Sequence, residues 1–344
     1  MTLQQLLGIP LPVIQAPMAG VQGSAMAVAV SNAGGLGSLP CAMLGLEAMR
    51  AELAAVRAQT ANPVNVNFFC HTPPQPRPER EAAWRELLAP YFEELGLDAN
   101  EVPAAPARSP FSSEAADVLE EFRPAVVSFH FGLPSEELVA RVKGWGAKIL
   151  SSATTVDEAR WLEAHGVDAV IAQGLEAGGH RGVFLLEDLH SQAGTFALLP
   201  QIVRAVSVPV IAAGGIADAK GVAAAMALGA AGAQVGTAYL LCPEATTGPL
   251  HRAALKSDAA HLTAITNLFT GRPARGIMNR LMRERGPMNA SAPAFPLAAA
   301  AISMLRKKAE SLGRSDFSPL WAGQNTSGCK EISAAQLTRE LAQG

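Results

Sequence analysis

The decisive stretch of this sequence is Gln173-Gly174-Leu175-Glu176-Ala177-Gly178-Gly179-His180-Arg181-Gly182. It follows residues 167–172, an apolar run with the length and composition of a buried strand. An ordinary strand-to-helix turn needs one glycine or two, whereas this loop has four. Glycine lets the backbone approach a ligand closely, and successive bare N–H groups can form a concave site for an anion. The loop therefore predicts ligand contact, with an ordinary turn as the weaker interpretation.

Two later strands also end in glycine. Residues 208–212 lead into Gly214-Gly215, and residues 233–235 lead into Gly236-Thr237. Three successive strands that open into glycine indicate one site at one end of a parallel sheet. In eight-stranded α/β barrels the loops after the last two strands commonly hold a phosphate. We therefore expect a phosphate-bearing ligand.

Eight strand-like runs alternate with helical patterns along the chain. The strands are predicted at residues 11–16, 36–39, 64–69, 125–129, 148–151, 167–172, 208–212 and 233–235. This regular alternation predicts the α/β class and a (β/α)8 TIM barrel. A doubly wound open sheet is the alternative, but the first βα turn has no GxGxxG fingerprint.

Two segments depart from the alternation. Residues 71–124 begin with several prolines and then show two helical patterns, so they are predicted to be an irregular excursion within the barrel of residues 1–259. Residues 260–344 contain polar loops and helices, and we expect them to form a helical segment that covers the barrel mouth and the substrate. Residues 270–276 in particular are predicted to be a polar loop, followed by a helix from 277 to 285.

Composition excludes several classes of function. The net charge of −3 gives no electrostatic reason to bind nucleic acid or an anionic membrane. No run of about 18 apolar residues predicts a membrane span, and the N-terminus has no signal-peptide pattern. The four cysteines form no CxxC pair, and no zinc motif is present, so we expect reduced thiols, no bound metal and a cytoplasmic monomer or homodimer.

His130 is the principal candidate for chemistry. It ends a predicted strand, where barrel enzymes place catalytic groups, and a histidine with an ordinary pKa of about 6.5 can act as a base near neutral pH. A structural histidine is equally compatible with this position. His180 is expected to bind a ligand or shape its loop. Trp321 and Gln324 stand in a turn that could border a pocket or anchor the tail.

Several segments together resemble the nitronate monooxygenase family, also known as 2-nitropropane dioxygenase. They are Gln15-Ala16-Pro17-Met18-Ala19-Gly20, Asn65-Val66-Asn67-Phe68-Phe69, Ser128-Phe129-His130-Phe131-Gly132-Leu133-Pro134 and Gly178-Gly179-His180-Arg181-Gly182. The last segment is shared with FMN-dependent enoyl reductases and quinone reductases. The His130 segment is narrower and points to the class I monooxygenases.

The resemblance implies a flavoprotein with non-covalent FMN that oxidises an alkyl nitronate, such as propionate 3-nitronate, with O2. The products would be a carbonyl compound and nitrite, a reaction that detoxifies nitroalkanes. With the glycine argument it assigns the flavin site to Ala16, Pro17, Met18, Asn67, Gln173, Gly178, Gly179, Gly214, Gly215, Gln234, Val235, Gly236 and Thr237. The substrate pocket would comprise Met18, His130, His180, Trp321 and Gln324, with His130 as the catalytic histidine.

The late helix departs from the family pattern. Members of the class often place tyrosines and a lysine there, whereas this chain reads Pro296-Leu297-Ala298-Ala299-Ala300-Ala301-Ile302. We therefore expect a roomier, more apolar substrate pocket. Two alternative functions stay open from the sequence. One is an NAD(P)H-dependent FMN reductase of quinones or enoyl thioesters, and the other is a flavin-free lyase or isomerase of a sugar phosphate.

Overall fold

Eight parallel strands form the centre of the computed structural model, which describes residues 2–103 and 108–343. Their order around the sheet is β1-β9-β8-β6-β5-β4-β3-β2. A parallel bridge between Ile14 and Leu36 joins the two ends of this order, so the sheet closes into a barrel. The barrel strands are β1 Val13–Gln15, β2 Gly37–Pro40, β3 Val64–Phe69, β4 Val126–His130, β5 Lys148–Ala153, β6 Ala169–Gln173, β8 Val210–Ala213 and β9 Gly232–Val235.

The prediction of a (β/α)8 barrel is confirmed, with strand ends shifted by up to two residues. Helices follow the strands because amphipathic segments cover the outer face of the barrel with their apolar side. These helices are α2 Ser24–Asn32, α3 Leu46–Gln59, α5 Ser113–Phe122, α6 Glu136–Gly144, α7 Val156–Ala164, α8 Thr195–Ala205, α9 Ala219–Ala227 and α10 Pro249–Leu255. The short N-terminal helix α1 (Leu3–Leu7) buries Leu3 and Leu7 against inward-facing strand residues at the opposite end from the glycine loops.

The excursion and the C-terminal segment share a second hydrophobic core. Helix α4 (Pro78–Glu94) of the excursion packs against α12 (Ala299–Ser311), with α11 (Arg280–Arg285) beside them. Trp84, Leu88 and Phe92 of α4 are buried in the same cluster as Ile302 and Leu305 of α12. The excursion therefore contributes to the packing that holds α12 over the carboxyl ends of the barrel strands.

The prediction for residues 270–285 was partly wrong. Residues Ala274–Ile277 form strand β11, which pairs with β10 (Thr263–Thr266) and with the two-residue strand β7 (Gly179–His180). The helix begins only at Arg280. Short polar segments carry no strand period of their own, and this one is a strand because β10 and the distant glycine-rich loop pair with its two edges.

The last helix also differs from the expected cover. Helix α13 (Ala334–Leu341) packs on the outside of the barrel, against α2 and α9. Its Leu337 and Leu341 are buried there, and the Thr338 hydroxyl lies 2.8 Å from the hydroxyl of Tyr239. Of the C-terminal segment, α12, residues 269–270 and the turn around Trp321 reach the barrel mouth. Among the described residues, no helix combines the length and apolar character needed to span a membrane.

Candidate active site

A cavity of about 740 Å³ opens at the carboxyl ends of the barrel strands. This volume lies within the range of small-molecule sites, which is roughly 300 to 1,000 Å³. Strand ends form its floor, the glycine loops form one side, and α12 with Trp321 forms the roof. The site therefore sits where α/β barrels carry their chemistry.

Most of the predicted site residues meet in this cavity. Its lining includes Ala16, Pro17, Met18, Asn67, His130, Gln173, Gly178, Gly179, His180, Gly214, Gly215, Gln234, Gly236, Thr237 and Trp321. Val235 and Gln324 do not line it. Val235 points to the outer core because side chains alternate along a strand, and its neighbour Gln234 points inward. Gln324 is exposed, and its backbone N–H donates to the carbonyl of Glu176.

The glycines are required by the close approach of three chain segments. A Cβ on Gly178 would lie 2.6 Å from the backbone of Ala322 and Gly323, and one on Gly214 would lie 3.0 Å from the backbone nitrogen of Ala177. Gly179 has a φ of +70°, and nothing lies within 4 Å of the position of its Cβ. The loop therefore packs tightly against the tail and leaves bare backbone towards the cavity.

The side chain of Arg181 stabilises this loop. Its side chain is fully buried, and it donates to the carbonyl oxygens of Gln173 and Gly174 at 2.7 and 2.6 Å and to Gln192 at 3.1 and 3.0 Å. Burial lowers the pKa of Arg181 to about 10, so its guanidinium stays charged at neutral pH. A buried cation that holds backbone carbonyls rather than a ligand has a structural role at this site.

His130 and His180 contact each other through the backbone. His130 Nε2 lies 3.2 Å from the carbonyl oxygen of His180, and its Nδ1 lies 3.1 Å from the hydroxyl of Ser152. A carbonyl can only accept, so Nε2 carries the proton and Nδ1 accepts from Ser152. Gln173 Nε2 donates to the same carbonyl at 3.0 Å. Both ring nitrogens of His130 are thus engaged by the protein.

His180 has a different hydrogen-bond pattern. Its Nε2 lies 2.9 Å from the hydroxyl of Thr270, which in turn lies 3.4 Å from the carbonyl of Arg272. This chain assigns the proton to Nε2, because the Thr270 hydroxyl donates onward to a carbonyl. No described residue hydrogen-bonds Nδ1 of His180, and the ring lines the cavity. Aromatic rings of Phe69, Phe295 and Trp321 surround it at centroid distances of 6.1, 5.4 and 5.7 Å.

Both histidines are neutral at pH 7. Burial lowers the pKa of His130 to about 4, and the guanidinium groups of Arg272 and Arg181 act in the same direction. The pKa of His180 is lowered well below its ordinary value, first by burial and then by the charge of Arg108. A neutral imidazole can accept a proton, so Nδ1 of His180, which no described residue hydrogen-bonds, can act as a base in this cavity.

The residues at the cavity floor fit a flavin. Gln234 Oε1 is buried without a hydrogen-bond partner among the described residues, which leaves an acceptor for a hydroxyl-rich chain. Asn67 Nδ2 donates to the Ser128 hydroxyl at 2.9 Å, which fixes its amide at the end of β3. Bare backbone at Gly179, Gly215 and Gly236 offers N–H groups for a phosphate.

Several cavity residues were missed by sequence reasoning. They are Phe69, Arg108, Ser152, His251, Arg306 and Asn325. Ser152 could have been found, because it directly follows residues 148–151, which were predicted to be a strand, and lies near the end of β5. Arg108 and His251 gave no local signal, because only the packing of the excursion and of α10 turns them towards the cavity. Of the late helix, Ala299 and Ile302 line the interior, while Lys307 and Lys308 are exposed.

Comparison with known proteins gives a consistent result. The profile of the family described as nitronate monooxygenase matches residues 1–344. A nitronate monooxygenase of Pseudomonas aeruginosa is 44% identical over 98% of this chain and 97% of its own length. One from Paraburkholderia phytofirmans is 43% identical over 98% of this chain and 92% of its own. The solved structure of a nitroalkane oxidase from Streptomyces ansochromogenes superposes with a TM-score of 0.89 at 39% identity, covering 99% and 96% of the two chains.

Proposed function

The chain belongs to the nitronate monooxygenase family, a family of flavin-dependent oxidoreductases, and we propose that it oxidises alkyl nitronates with O2 at a bound FMN. The products are a carbonyl compound and nitrite. The observation that carries this proposal is the cavity itself, in which three glycine-ended strands and two neutral histidines share one wall.

The FMN site is proposed on the glycine side of the cavity. Backbone at Gly178, Gly179, Gly214, Gly215, Gly236 and Thr237 would hold the phosphate and the ribityl chain, with Gln234 as a further partner. Ala16, Pro17, Met18, Asn67 and Gln173 would contact the ring. The isoalloxazine, when bound, accepts electrons from the nitronate and passes them to O2. The protein contributes position, exclusion of water and proton control.

The two histidines have different roles in the proposed reaction. Nδ1 of His180 is unprotonated and faces the cavity, so it would remove the α-proton of a neutral nitroalkane. His130 donates to the carbonyl of His180 and thereby fixes the position of the loop. The role predicted for His130 therefore changes from base to positioning residue in this proposal. A nitronate that arrives already deprotonated needs no base.

The remaining pocket residues would exclude water from the reacting atoms. Trp321 closes the cavity over His180, and Ala299 and Ile302 of α12 add apolar wall. At the reacting end of the cavity, such a lining favours a charge-delocalised nitronate over a strongly hydrated anion, because the latter loses more on desolvation.

An anaerobic absorbance experiment tests this proposal. The purified protein should be yellow, and propionate 3-nitronate should bleach it without NADH. Readmission of O2 should restore the colour and release nitrite. Fast, complete bleaching by NADH with none by nitronate would favour the reductase alternative, and a colourless protein that FMN cannot reconstitute would favour the flavin-free alternative.

A further inference from the structure

Arg108 is a charged residue of the cavity to which the proposed reaction gives no role. It lies just after residues 104–107 in the excursion, and it lines the same cavity as His130 and His180. His71 Nε2 lies 2.9 Å from its backbone carbonyl oxygen. Its guanidinium carbon lies 5.5 Å from the centroid of the Phe295 ring. Backbone and side chain of Arg108 are therefore both held by the wall of the pocket.

The charge of Arg108 is not neutralised by a neighbouring acid. No described carboxylate forms an ion pair with it, and residues 104–107 are alanines and proline, which have no acidic side chain. The sole acid in the cavity lining, Glu310, pairs with Arg306 at 2.7 Å. Arg272, a second cation beside these aromatic rings, forms an ion pair with Glu187 at 3.1 Å. Arg108 thus presents an unpaired cation to the described part of the pocket.

The position of this cation relative to His180 indicates what it contacts. Phe295 lies beside both groups, with its centroid 5.4 Å from that of His180 and 5.5 Å from the guanidinium carbon. Both groups line the same cavity, so a substrate whose reacting carbon is near His180 can extend towards Arg108 within it. A partly buried guanidinium without a counter-ion favours a bound carboxylate, which it can bind through two N–H groups.

We propose that Arg108 is a specificity-determining residue that binds a carboxylate at the end of the substrate away from the reacting carbon. This inference rests on the proposed function, because it assumes that the nitronate group is the reacting end. It assigns to the excursion a part in substrate recognition, because Arg108 is the one described residue of the excursion that lines the cavity.

A matched set of substrates and variants tests the assignment. The substrates are the nitronates of 3-nitropropionate, its isosteric neutral amide 3-nitropropanamide, and 1-nitropropane. The variants are Arg108→Met, Arg108→Lys and, as a control for loss of one surface cation, Arg50→Met, whose guanidinium is exposed and pairs with Glu121 on the outside of the barrel. Flavin content and melting temperature of each variant report whether the fold is intact.

The wild type should prefer the acid to the amide in kcat/KM by about 10- to 100-fold, the range expected for a charged hydrogen bond. Arg108→Met should remove this preference by raising KM for the acid alone, Arg108→Lys should restore part of it, and Arg50→Met should leave it unchanged. The inference is overturned if the wild type treats acid and amide alike, or if Arg108→Met lowers turnover of all three substrates equally.

Binding of succinate, measured by calorimetry, separates this inference from the proposed function. Succinate matches 3-nitropropionate in shape and undergoes no oxidation, so its dissociation constant is independent of turnover. It should rise about 10-fold or more in Arg108→Met and stay constant in Arg50→Met. If no nitronate is oxidised, the proposed function fails and the succinate result alone decides the role of Arg108. A dissociation constant for succinate that is unchanged in Arg108→Met would overturn the role assigned to Arg108.

Discussion

The carbonyl oxygen of His180 accepts two hydrogen bonds, from His130 Nε2 at 3.2 Å and from Gln173 Nε2 at 3.0 Å. Gly182 makes this contact possible, because a Cβ there would lie 2.9 Å from Cε1 of the His130 ring. One histidine thus fixes the backbone of the other, while the imidazole of His180 remains directed into the cavity. This arrangement separates a positioning role from a proton-transfer role, and the two can be tested separately.

Substitution of the two histidines should give different substrate patterns. His180→Gln should lower turnover of neutral nitroethane by about 100-fold or more, the usual contribution of a general base, and should affect ethyl nitronate little. His130→Asn should retain flavin and lower turnover of both substrates, because it displaces the His180 loop. Steady-state oxygen consumption measures the turnover of both substrates in each variant. Selective loss of nitroethane turnover in His130→Asn alone would return the base role to His130.

The pH profile provides a second measure of the base. Because the pKa of His180 lies well below 6.5, kcat/KM for nitroethane should be constant from pH 7 upwards and should fall only in more acidic solution. Fresh solutions of the neutral nitroalkane keep ionisation of the substrate out of the measurement. An inflection above pH 7 that disappears in His180→Gln would contradict the lowered pKa.

Gly179→Val should lower the flavin content of the purified protein. The φ of +70° at this position is costly for any residue with a Cβ, by about 1 to 2 kcal/mol, and more so for a β-branched one. The new side chain would also project into the open space beside the loop. The ratio of flavin to protein absorbance measures the effect, and Gly45→Val, at a helix start with an ordinary φ and open surroundings, is the matched control. Full flavin occupancy in Gly179→Val would contradict the proposed contact.

Arg181→Met should lower the free energy of unfolding by about 3 kcal/mol, because it removes the donor to the Gln173 carbonyl and to Gln192, and one of the two donors to the Gly174 carbonyl. Urea unfolding of the flavin-free protein measures this without a contribution from cofactor binding. Arg160→Met is the control, since Arg160 is exposed and its contact with Asp157 is long at 3.8 Å. Equal effects of the two substitutions would argue against a bracing role.

Acid should destabilise the fold through its buried histidines. Burial lowers the pKa of His251 to about 4, from an ordinary value of 6.5. Above pH 6.5 this side chain is neutral in both states, whereas between pH 6.5 and 4 only the unfolded chain takes up the proton. Stability should therefore decrease as pH falls through this window, by on the order of 1 to 3 kcal/mol for this residue.

The comparison of His251→Asn with His190→Asn tests this attribution. His190 is exposed, so its substitution should leave the pH dependence of urea unfolding unchanged. His251→Asn should reduce the slope between pH 6.5 and 4. A slope that is identical in the wild type and both variants would assign the acid sensitivity to other groups.

The sequence by itself determined the barrel and the position of its site. Apolar runs of strand length and glycines at three successive strand ends are local features, and parallel strands necessarily bring their carboxyl ends to one rim. Gly179, Gly215, Gly236 and His130 were therefore assigned to this rim from the sequence alone. Short segments such as Ser128–Pro134 differ between families, so the family of this chain could be inferred from its sequence alone.

Only the tertiary structure decided what each polar group does at that rim. Hydrogen-bond partners come from distant segments, so the engagement of both nitrogens of His130 and the free nitrogen of His180 have no counterpart in local sequence. The strand at Ala274–Ile277 pairs with β10 on one side and with the remote glycine loop on the other, and neither pairing is visible in its own sequence. Arg108 is held at the cavity by contacts with His71 and Phe295, which are distant from it in the chain, and no periodic pattern in the sequence indicates such contacts.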